Sequence, residues 1–316
     1  MSVASDKIVN QKGLPFTRDL LYPKYWLSWL GVGVATVLSV LPQSLRHRLG
    51  VSIGEYLYKN SPKRRKYAGA NLRQVYPEVS DAALNEKVRQ HLHWYGKGLV
   101  DYTVFFFAPK RRLKKLVGIS GGDSLLKAAE NDKAIILLLT HSVMLEFAAV
   151  ALSLEDLHSF GSYKKSKNPV LDWMIARSRC RFVDFVVSRE DGLRPLVKAI
   201  QSKKVMIFLP DEDLGLENGV FAPFFGRQKA TLTTPARLTK LGKAEVFAGF
   251  VAFDQASKRY NLHVQSMPES YPCANAEKDA SVMNQAFESL IEREPLQYMW
   301  LMRLFKTTQE SDQPLY

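Results

Sequence analysis

Short apolar runs alternate with helical stretches along the second half of the chain. Five runs have the length and composition of buried strands: AIILLL, FVDFVV, VMIFLP, VFAGFVAF and YNLHVQSM. Apolar residues between these runs recur at helical spacing, as they also do over residues 62–130 and about 279–293. The alternation predicts an α/β fold with a mixed, mostly parallel central sheet flanked by helices.

An uncharged apolar stretch, YWLSWLGVGVATVLSVLP, runs from Tyr25 to Pro42, with aromatic residues at its start. A helix of this length reaches about 27 Å, slightly less than the roughly 30 Å hydrocarbon core of a bilayer. A short span and a helix lying in the interface therefore both remain open, with a core helix as the structural alternative. We predict a membrane anchor over residues 1–45 and one catalytic domain over residues 46–316.

The chain carries an excess of positive charge, with 44 Lys and Arg against 31 Asp and Glu and a net charge of +13. Such an excess favours an anionic partner, which could be nucleic acid, an anionic lipid surface or an acidic protein. The basic segments RHRLG and PKRRK follow the apolar stretch, and such flanks mark the cytoplasmic side of a membrane. The two cysteines, Cys180 and Cys273, indicate no disulfide framework.

The strand predicted at residues 134–139 is followed by His141 and, five residues later, by Glu146. Functional groups gather where the strands of open α/β sheets end. We expect Glu146 to accept a hydrogen bond from one ring nitrogen of His141 and to steady the imidazolium that forms when the other nitrogen takes a proton. The structural alternative is a histidine whose ring nitrogens find hydrogen-bond partners near the start of a helix, beside a glutamate that faces solvent. The six histidines contain no i, i+4 pair, so we predict no metal site.

Charged residues near the following helix and turns are candidates for substrate binding. Asn168 and Pro169 suit the start of a helix, and the cations on either side of it could hold phosphates or simply complement the helix dipole. The acids of PDED also suit a turn, and the apolar GVFAPFFG suits the mouth of a lipid-binding groove as well as plain packing. The candidates for substrate binding are Lys164, Arg179, Arg181, Arg189 and Asp211.

Several motifs occur in a characteristic order: H-x4-E, NPVLD, SREDG, LPDEDLG, GVFAPFFG with KAT after it, and QYMW. In this order they resemble the late acyltransferases of lipid A biosynthesis, within the wider lysophospholipid acyltransferase group. The similarity covers most of the chain after residue 60. It implies a glycerolphosphate-acyltransferase-like α/β domain on the cytoplasmic face of the bacterial inner membrane.

The resemblance also implies a reaction. It implies that a fatty acyl chain passes from acyl carrier protein, a co-substrate with no further cofactor, to the hydroxyl of a hydroxyacyl chain on a lipid A precursor. The pair of His141 and Glu146 at a strand end further predicts direct transfer, without a covalent acyl-enzyme. His141 matches the family's catalytic base and Glu146 its acidic partner. Arg179, Arg181 and Arg189 match family arginines suited to binding phosphate or the reaction intermediate.

Two departures bear on the branch of the family. SVML lies between His141 and Glu146 where lauroyltransferases usually have a Gly-Asn-Trp-like interval, and Met302 in WLMRLFK replaces a histidine. Both indicate the final-step, myristoyltransferase-like branch.

Two alternative functions remain. The acceptor could be a lysophospholipid or another glycolipid, or the protein could be a non-catalytic basic binder of anionic membranes or nucleic acid. The second alternative explains the charge but not a His and a carboxylate at a strand end. The chain contains no recognised nucleic-acid module, so we predict no nucleic-acid partner.

Overall fold

A computed structural model describes residues 8–10, 13–163, 165–188, 194–309 and 314–316. The α-helices are α1 (Trp26–Val40), α2 (Gln43–Asn60), α3 (Pro62–Val75), α4 (Asp81–Phe107), α5 (Lys110–Leu116), α6 (Asp123–Glu130), α7 (Phe147–Leu154), α8 (Pro169–Arg179), α9 (Arg194–Ile200), α10 (Thr234–Gly242) and α11 (Ala276–Ile291). The strands are β1 (Ile8–Asn10), β2 (Val117–Ser120), β3 (Ile135–Leu139), β4 (Ser159–Tyr163), β5 (Phe185–Ser188), β6 (Val205–Phe208), β7 (Gly219–Phe224), β8 (Arg227–Leu232), β9 (Glu245–Asp254) and β10 (Arg259–Ser266).

The main sheet has eight strands in the order β1-β5-β4-β6-β3-β9-β10-β2. Its pairings are parallel except β1 with β5 and β9 with β10. β7 and β8 form a separate antiparallel hairpin. These observations confirm the predicted α/β class and the mostly parallel sheet, and all five predicted runs contain a strand of it.

The order of the central strands creates a crevice at one edge of the sheet. The chain leaves β3 to form β4 on one side, and it leaves β6 to form β9 on the other side, although β3 and β6 are neighbours. In open α/β sheets such a switch point opens a crevice beyond the carboxyl ends of the two strands, where ligands bind. The residues that follow β3 and β6 therefore occupy the position best suited to a functional site.

Side chains of the central strands fill a core on each face of the sheet. In β3 all five residues are buried, and alternate ones point to opposite faces. Leu137 and Leu139 pack beneath α7, whereas Ile136 and Leu138 pack with residues of α10 and α11. This burial on both faces explains why the strand reads as a continuous apolar run.

The N-terminal helices dock on the sheet domain through close backbone contacts. A Cβ added at Gly96 of α4 would lie 2.1 Å from the carbonyl oxygen of Gly50 in α2, so glycine lets the two helices approach. Arg46 and Arg112 donate hydrogen bonds to the Leu41 carbonyl at the end of α1. These contacts hold the α1–α2 hairpin against α4.

Among the described residues no helix is both long and apolar enough to cross a membrane. The predicted apolar stretch supplies α1, which has 15 residues and ends at Val40 because Leu41, the residue before Pro42, is extended. At 1.5 Å per residue it reaches only about 22 Å, well below the roughly 30 Å required. A membrane-spanning anchor is therefore not supported.

Candidate active site

His141 lies just beyond the carboxyl end of β3, as the sequence predicts. Its backbone carbonyl accepts a hydrogen bond from the Met299 N–H (3.0 Å), and the Val143 N–H donates to the Gln297 carbonyl (2.9 Å). Gly98 of α4 lies against the same segment, because a Cβ there would be 2.5 Å from the Val143 oxygen. The imidazole is thus carried by a backbone segment fixed from both sides.

Asp211 is the carboxylate that holds the imidazole. It follows β6, the neighbour of β3, and its Oδ1 lies 2.6 Å from His141 Nδ1 while its Oδ2 accepts the His141 backbone N–H at 2.7 Å. Burial opposes ionisation of Asp211, but the charge and hydrogen bonds of His141 outweigh it and lower the pKa of the carboxyl. The carboxylate therefore fixes Nδ1 as the protonated nitrogen and leaves Nε2 as the basic nitrogen of the ring.

Tyr298 completes the support of this pair. Its hydroxyl donates to Asp211 Oδ2 at 3.0 Å, and its backbone forms an isolated antiparallel bridge with Ser142. Burial, followed by the charge of Asp211, raises the pKa of Tyr298 well above its usual range, so the phenol stays a donor. QYMW is one of the motifs that resemble the family, but the sequence alone predicts no role for Tyr298. Tyr298 lies 157 positions from His141, so local spacing could not connect the two residues. The only sequence signal for Tyr298 was the resemblance of the QYMW motif to the acyltransferase family.

The prediction that Glu146 accepts a hydrogen bond from His141 is wrong. Glu146 is the residue before α7, and its carboxylate accepts from Arg179 Nε at 3.0 and 3.1 Å and also from Arg179 Nη2. Both residues are largely shielded, with side chains 9% and 26% exposed. A forked, charge-assisted pair binds more strongly than a neutral imidazole could, which explains why the carboxylate faces α8.

Two further charges lie close to the His141–Asp211 pair. Glu212 Oε1 is 3.4 Å from His141 Nε2, on the side of the ring opposite Asp211. Lys229 is buried near the acids of the PDED turn, and burial lowers its pKa to about 8 although Asp211 and its acidic neighbours oppose that change. The turn is also tied down, because Asp213 accepts hydrogen bonds from the backbone and hydroxyl of Thr307 at 2.6 and 2.8 Å.

The remaining candidates have different surroundings. Arg181 donates to the carbonyls of Phe105 and Phe106 at 3.1 and 2.6 Å and to that of Ala108. Its guanidinium therefore closes the end of α4, and its predicted role in substrate binding stays a prediction. Arg179 binds Glu146, so its role in phosphate binding stays a prediction.

Lys164 and Arg189 lie outside the described residues. Between them, Asn168 caps α8 as predicted, since its side chain accepts from the Val170 and Leu171 N–H groups.

Part of the GVFAPFFG segment packs in the core, and its place at the mouth of a lipid-binding groove stays a prediction. The segment forms β7, and Phe224 is buried against the rings of Tyr298 and Phe305.

Among the described residues no group of His, Cys, Asp and Glu is arranged to hold a metal. The chemistry available is that of a buried carboxylate, an oriented imidazole and a nearby second acid, which together suit proton abstraction from a hydroxyl.

Comparisons with known proteins identify the family of the chain. Residues 14–307 match the family described as bacterial lipid A biosynthesis acyltransferase. In Escherichia coli (strain K12), the lipid A biosynthesis lauroyltransferase is 30% identical over 93% of this chain and 96% of its own. The palmitoleoyltransferase of the same organism is 28% identical (95% and 98%), and the myristoyltransferase is 25% identical (94% and 93%). The expected final-step branch gains no support from these identities, since the lauroyltransferase is more similar than the myristoyltransferase.

Proposed function

The chain belongs to the family of bacterial lipid A biosynthesis acyltransferases and is an acyltransferase enzyme, and on that premise we propose that His141 is its general base, aligned by Asp211. The acceptor is a hydroxyl on a hydroxyacyl chain of a lipid A precursor. The donor is a fatty acyl thioester of acyl carrier protein. The alternative of a non-catalytic basic binder is set aside by the family.

The proposed reaction is direct transfer. Nε2 of His141 takes the hydroxyl proton as the oxygen attacks the thioester carbonyl. The new ester C–O bond forms, the C–S bond breaks, and the pantetheine thiolate leaves and recovers the proton from the imidazolium. Asp211 stabilises that imidazolium and keeps the ring in one tautomer. No covalent acyl-enzyme is formed.

One observation carries this proposal: His141 and Asp211 follow adjacent parallel strands and meet at 2.6 Å in the crevice where the strand order reverses. The His141 side chain is 15% exposed, so the ring is reachable from that crevice although its carboxylate is buried. General-base catalysis requires at least an oriented imidazole that the substrate can reach, and His141 meets this requirement.

His141→Ala and His141→Gln test the assignment. We expect turnover with a dodecanoyl thioester of acyl carrier protein and a lipid A precursor to fall roughly 10²-fold or more, with donor binding retained. His158→Ala is a matched control, because His158 also pairs with an aspartate, Asp184, but is 73% exposed. Near-normal turnover of both His141 variants would refute the general-base role.

The acceptor distinguishes this proposal from an acyltransferase that acts on a lysophospholipid or another glycolipid. Mass spectrometry of lipid A from cells with and without the gene should show one fewer acyl chain when the gene is absent. A change confined to phospholipids would favour the alternative acceptor.

Charge supports an acidic carrier protein as donor. The net charge of +13 would steer both an acidic protein and the phosphates of lipid A. We expect the KM for the acyl carrier protein thioester to rise as ionic strength increases. A KM independent of salt would contradict electrostatic docking.

We further propose that the protein works at the cytoplasmic face of the bacterial inner membrane, with α1 in the interface. Exposed apolar side chains recur along one side of α1 at spacings of three or four residues, and they belong to Leu27, Leu30, Val34 and Val37. Such a helix can lie in the boundary between headgroups and acyl chains without crossing the bilayer. Replacing Leu27 and Leu30 with Glu should reduce co-sedimentation with vesicles of anionic phospholipid. Unchanged binding by that variant would contradict the proposal.

A further inference from the structure

An apolar pocket lies beside the proposed catalytic residues. Leu139 from β3 and Leu209 after β6 form part of its wall, and each stands two positions before a residue of the His141–Asp211 pair. The Glu146–Arg179 pair forms another part of the wall. The pocket therefore begins within two residues of His141 and Asp211 on their two strands.

The deeper part of the pocket is lined by small and aliphatic residues. Ile207 of β6 and Gly161 of β4 are direct register partners in the sheet, and Ala148 and Ala149 of α7 face them. A Cβ added at Gly161 would meet only Ile207, at 3.3 Å from its carbonyl oxygen and 3.9 Å from its Cβ. The absence of a side chain at position 161 therefore leaves space between the sheet and α7.

The polar groups of the pocket argue against a sugar or a phosphate as its ligand. Glu146 and Arg179 are already paired with each other through three hydrogen bonds, and Ser162 is the one other polar side chain among the described lining residues. A headgroup buried here would lose its hydrogen bonds to water without regaining them. Hydrocarbon has no such cost and gains from leaving water.

We propose that this pocket binds the hydrocarbon of the transferred acyl chain, and that Ala149 and Gly161 determine how much chain it accepts. The inference rests on the proposed function, because it assigns a place to one part of that reaction's donor. The transferred chain fits better than an acceptor chain, since its first methylenes are bonded directly to the carbonyl that must lie beside His141. The phenylalanines at 105–107 and 224–225 do not line the pocket.

Filling the pocket should change the selectivity for donor length. In Gly161→Val and Ala149→Leu, the added methyl groups occupy space that a long chain needs. We expect the ratio of kcat/KM for dodecanoyl over hexanoyl acyl carrier protein to fall about 10-fold or more, the scale for excluding one methylene from an apolar pocket. The acceptor is the same lipid A precursor in every assay, and competing donors are resolved by mass spectrometry of the product.

Matched variants make the outcome decisive. Ala129→Leu adds the same volume in α6, at the edge of the same core but outside the pocket, and should leave the ratio unchanged. Val186→Ala enlarges the pocket and should favour donors longer than the wild-type optimum, which keeps the test available if a filling variant fails to fold.

Folded filling variants that lose activity equally for all donors, or that alter only the KM of the acceptor, would overturn the pocket assignment. An unshifted length preference in Val186→Ala would also count against it. A wild-type protein that acylates no lipid A precursor would instead overturn the proposed function.

Discussion

Two buried networks of this protein contain the same three kinds of residue, an aspartate, a histidine and a tyrosine. In the first, Asp211 binds His141 at 2.6 Å and accepts from the hydroxyl of Tyr298 at 3.0 Å. In the second, Asp101 binds His47 at 2.9 Å and accepts from the hydroxyl of Tyr260. The two histidines are equally exposed, at 15% and 16%, so neither residue type nor accessibility separates the networks.

Charge and position do separate them. Asp101 also binds the fully buried guanidinium of Arg46 at 2.6 Å, and Arg46 in turn holds the end of α1, so this network joins the N-terminal hairpin to α4. No described Arg or Lys forms a salt bridge with Asp211, whose hydrogen-bond partners are the ring and backbone of His141 and the hydroxyl of Tyr298. The Asp211 network lies at the strand-order reversal, beside an apolar pocket. An aspartate whose charge is neutralised by a buried arginine stabilises the fold. An aspartate whose partner is a histidine can instead set the orientation and the tautomer of that histidine.

The largest expected effect is on catalysis by Asp211→Asn. The amide can no longer stabilise an imidazolium or enforce the tautomer that leaves Nε2 free of a proton. We expect kcat to fall about 10³-fold or more, because amide replacement of a carboxylate that orients a catalytic histidine can cost roughly 10⁴-fold. Asp101→Asn is the matched control, and the folded protein should keep turnover within a few-fold of wild type. Equal losses in the two variants would remove the distinction between the networks.

The reverse pattern is expected for stability. Asp101→Asn leaves Arg46 as an unpaired charge in the interior, and breaking such a buried pair costs about 3 kcal/mol or more. Denaturant unfolding in detergent measures the free energy of unfolding, and Asp211→Asn should lose distinctly less. If Asp101→Asn is as stable as wild type, the second network is not what fastens the hairpin.

Local pattern predicted one half of the catalytic pair and missed the other. The position of His141 followed from the apolar run before it, but its partner was sought five residues away when it lies 70 residues away. Asp211 was placed among substrate-binding residues because turn chemistry explained it equally well. A signal did exist, since the apolar runs VMIFLP and AIILLL are each followed within two residues by a titratable side chain. Using it required knowing that β3 and β6 are neighbours, and strand order is a property of the whole chain.

A third histidine shows what happens without a carboxylate. His91 of α4 is fully buried, Leu296 accepts a hydrogen bond from its Nδ1 at 2.9 Å, and Nε2 has no described partner. Burial, opposed by that one hydrogen bond, lowers the pKa of His91 to about 4. In the unfolded chain histidine takes up a proton near pH 6.5, so protons bind the unfolded state first as the pH falls.

Acid should therefore destabilise the protein through His91. The loss begins as the pH falls through 6.5 and is complete near pH 4, and it amounts to about 2 kcal/mol between pH 7.5 and pH 5. His91→Gln keeps a donor for the Leu296 carbonyl but does not titrate, so the difference between its free energies of unfolding at the two pH values should be smaller by that amount. An identical pH dependence in wild type and variant would show that another group controls acid stability.

The smallest effects come from the two tyrosines, and they test the comparison most finely. Burial raises the pKa of Tyr298 and of Tyr260 well above the usual value, and the adjacent aspartate adds to it, so both phenols donate. Tyr298→Phe and Tyr260→Phe each remove one such hydrogen bond, at a cost of about 1 kcal/mol in stability. Only Tyr298→Phe should also reduce kcat, by roughly 10-fold, because it loosens the carboxylate that orients the base. If Tyr260→Phe reduces kcat as much, the two networks are coupled, and the chemistry does not reside in the Asp211 network alone.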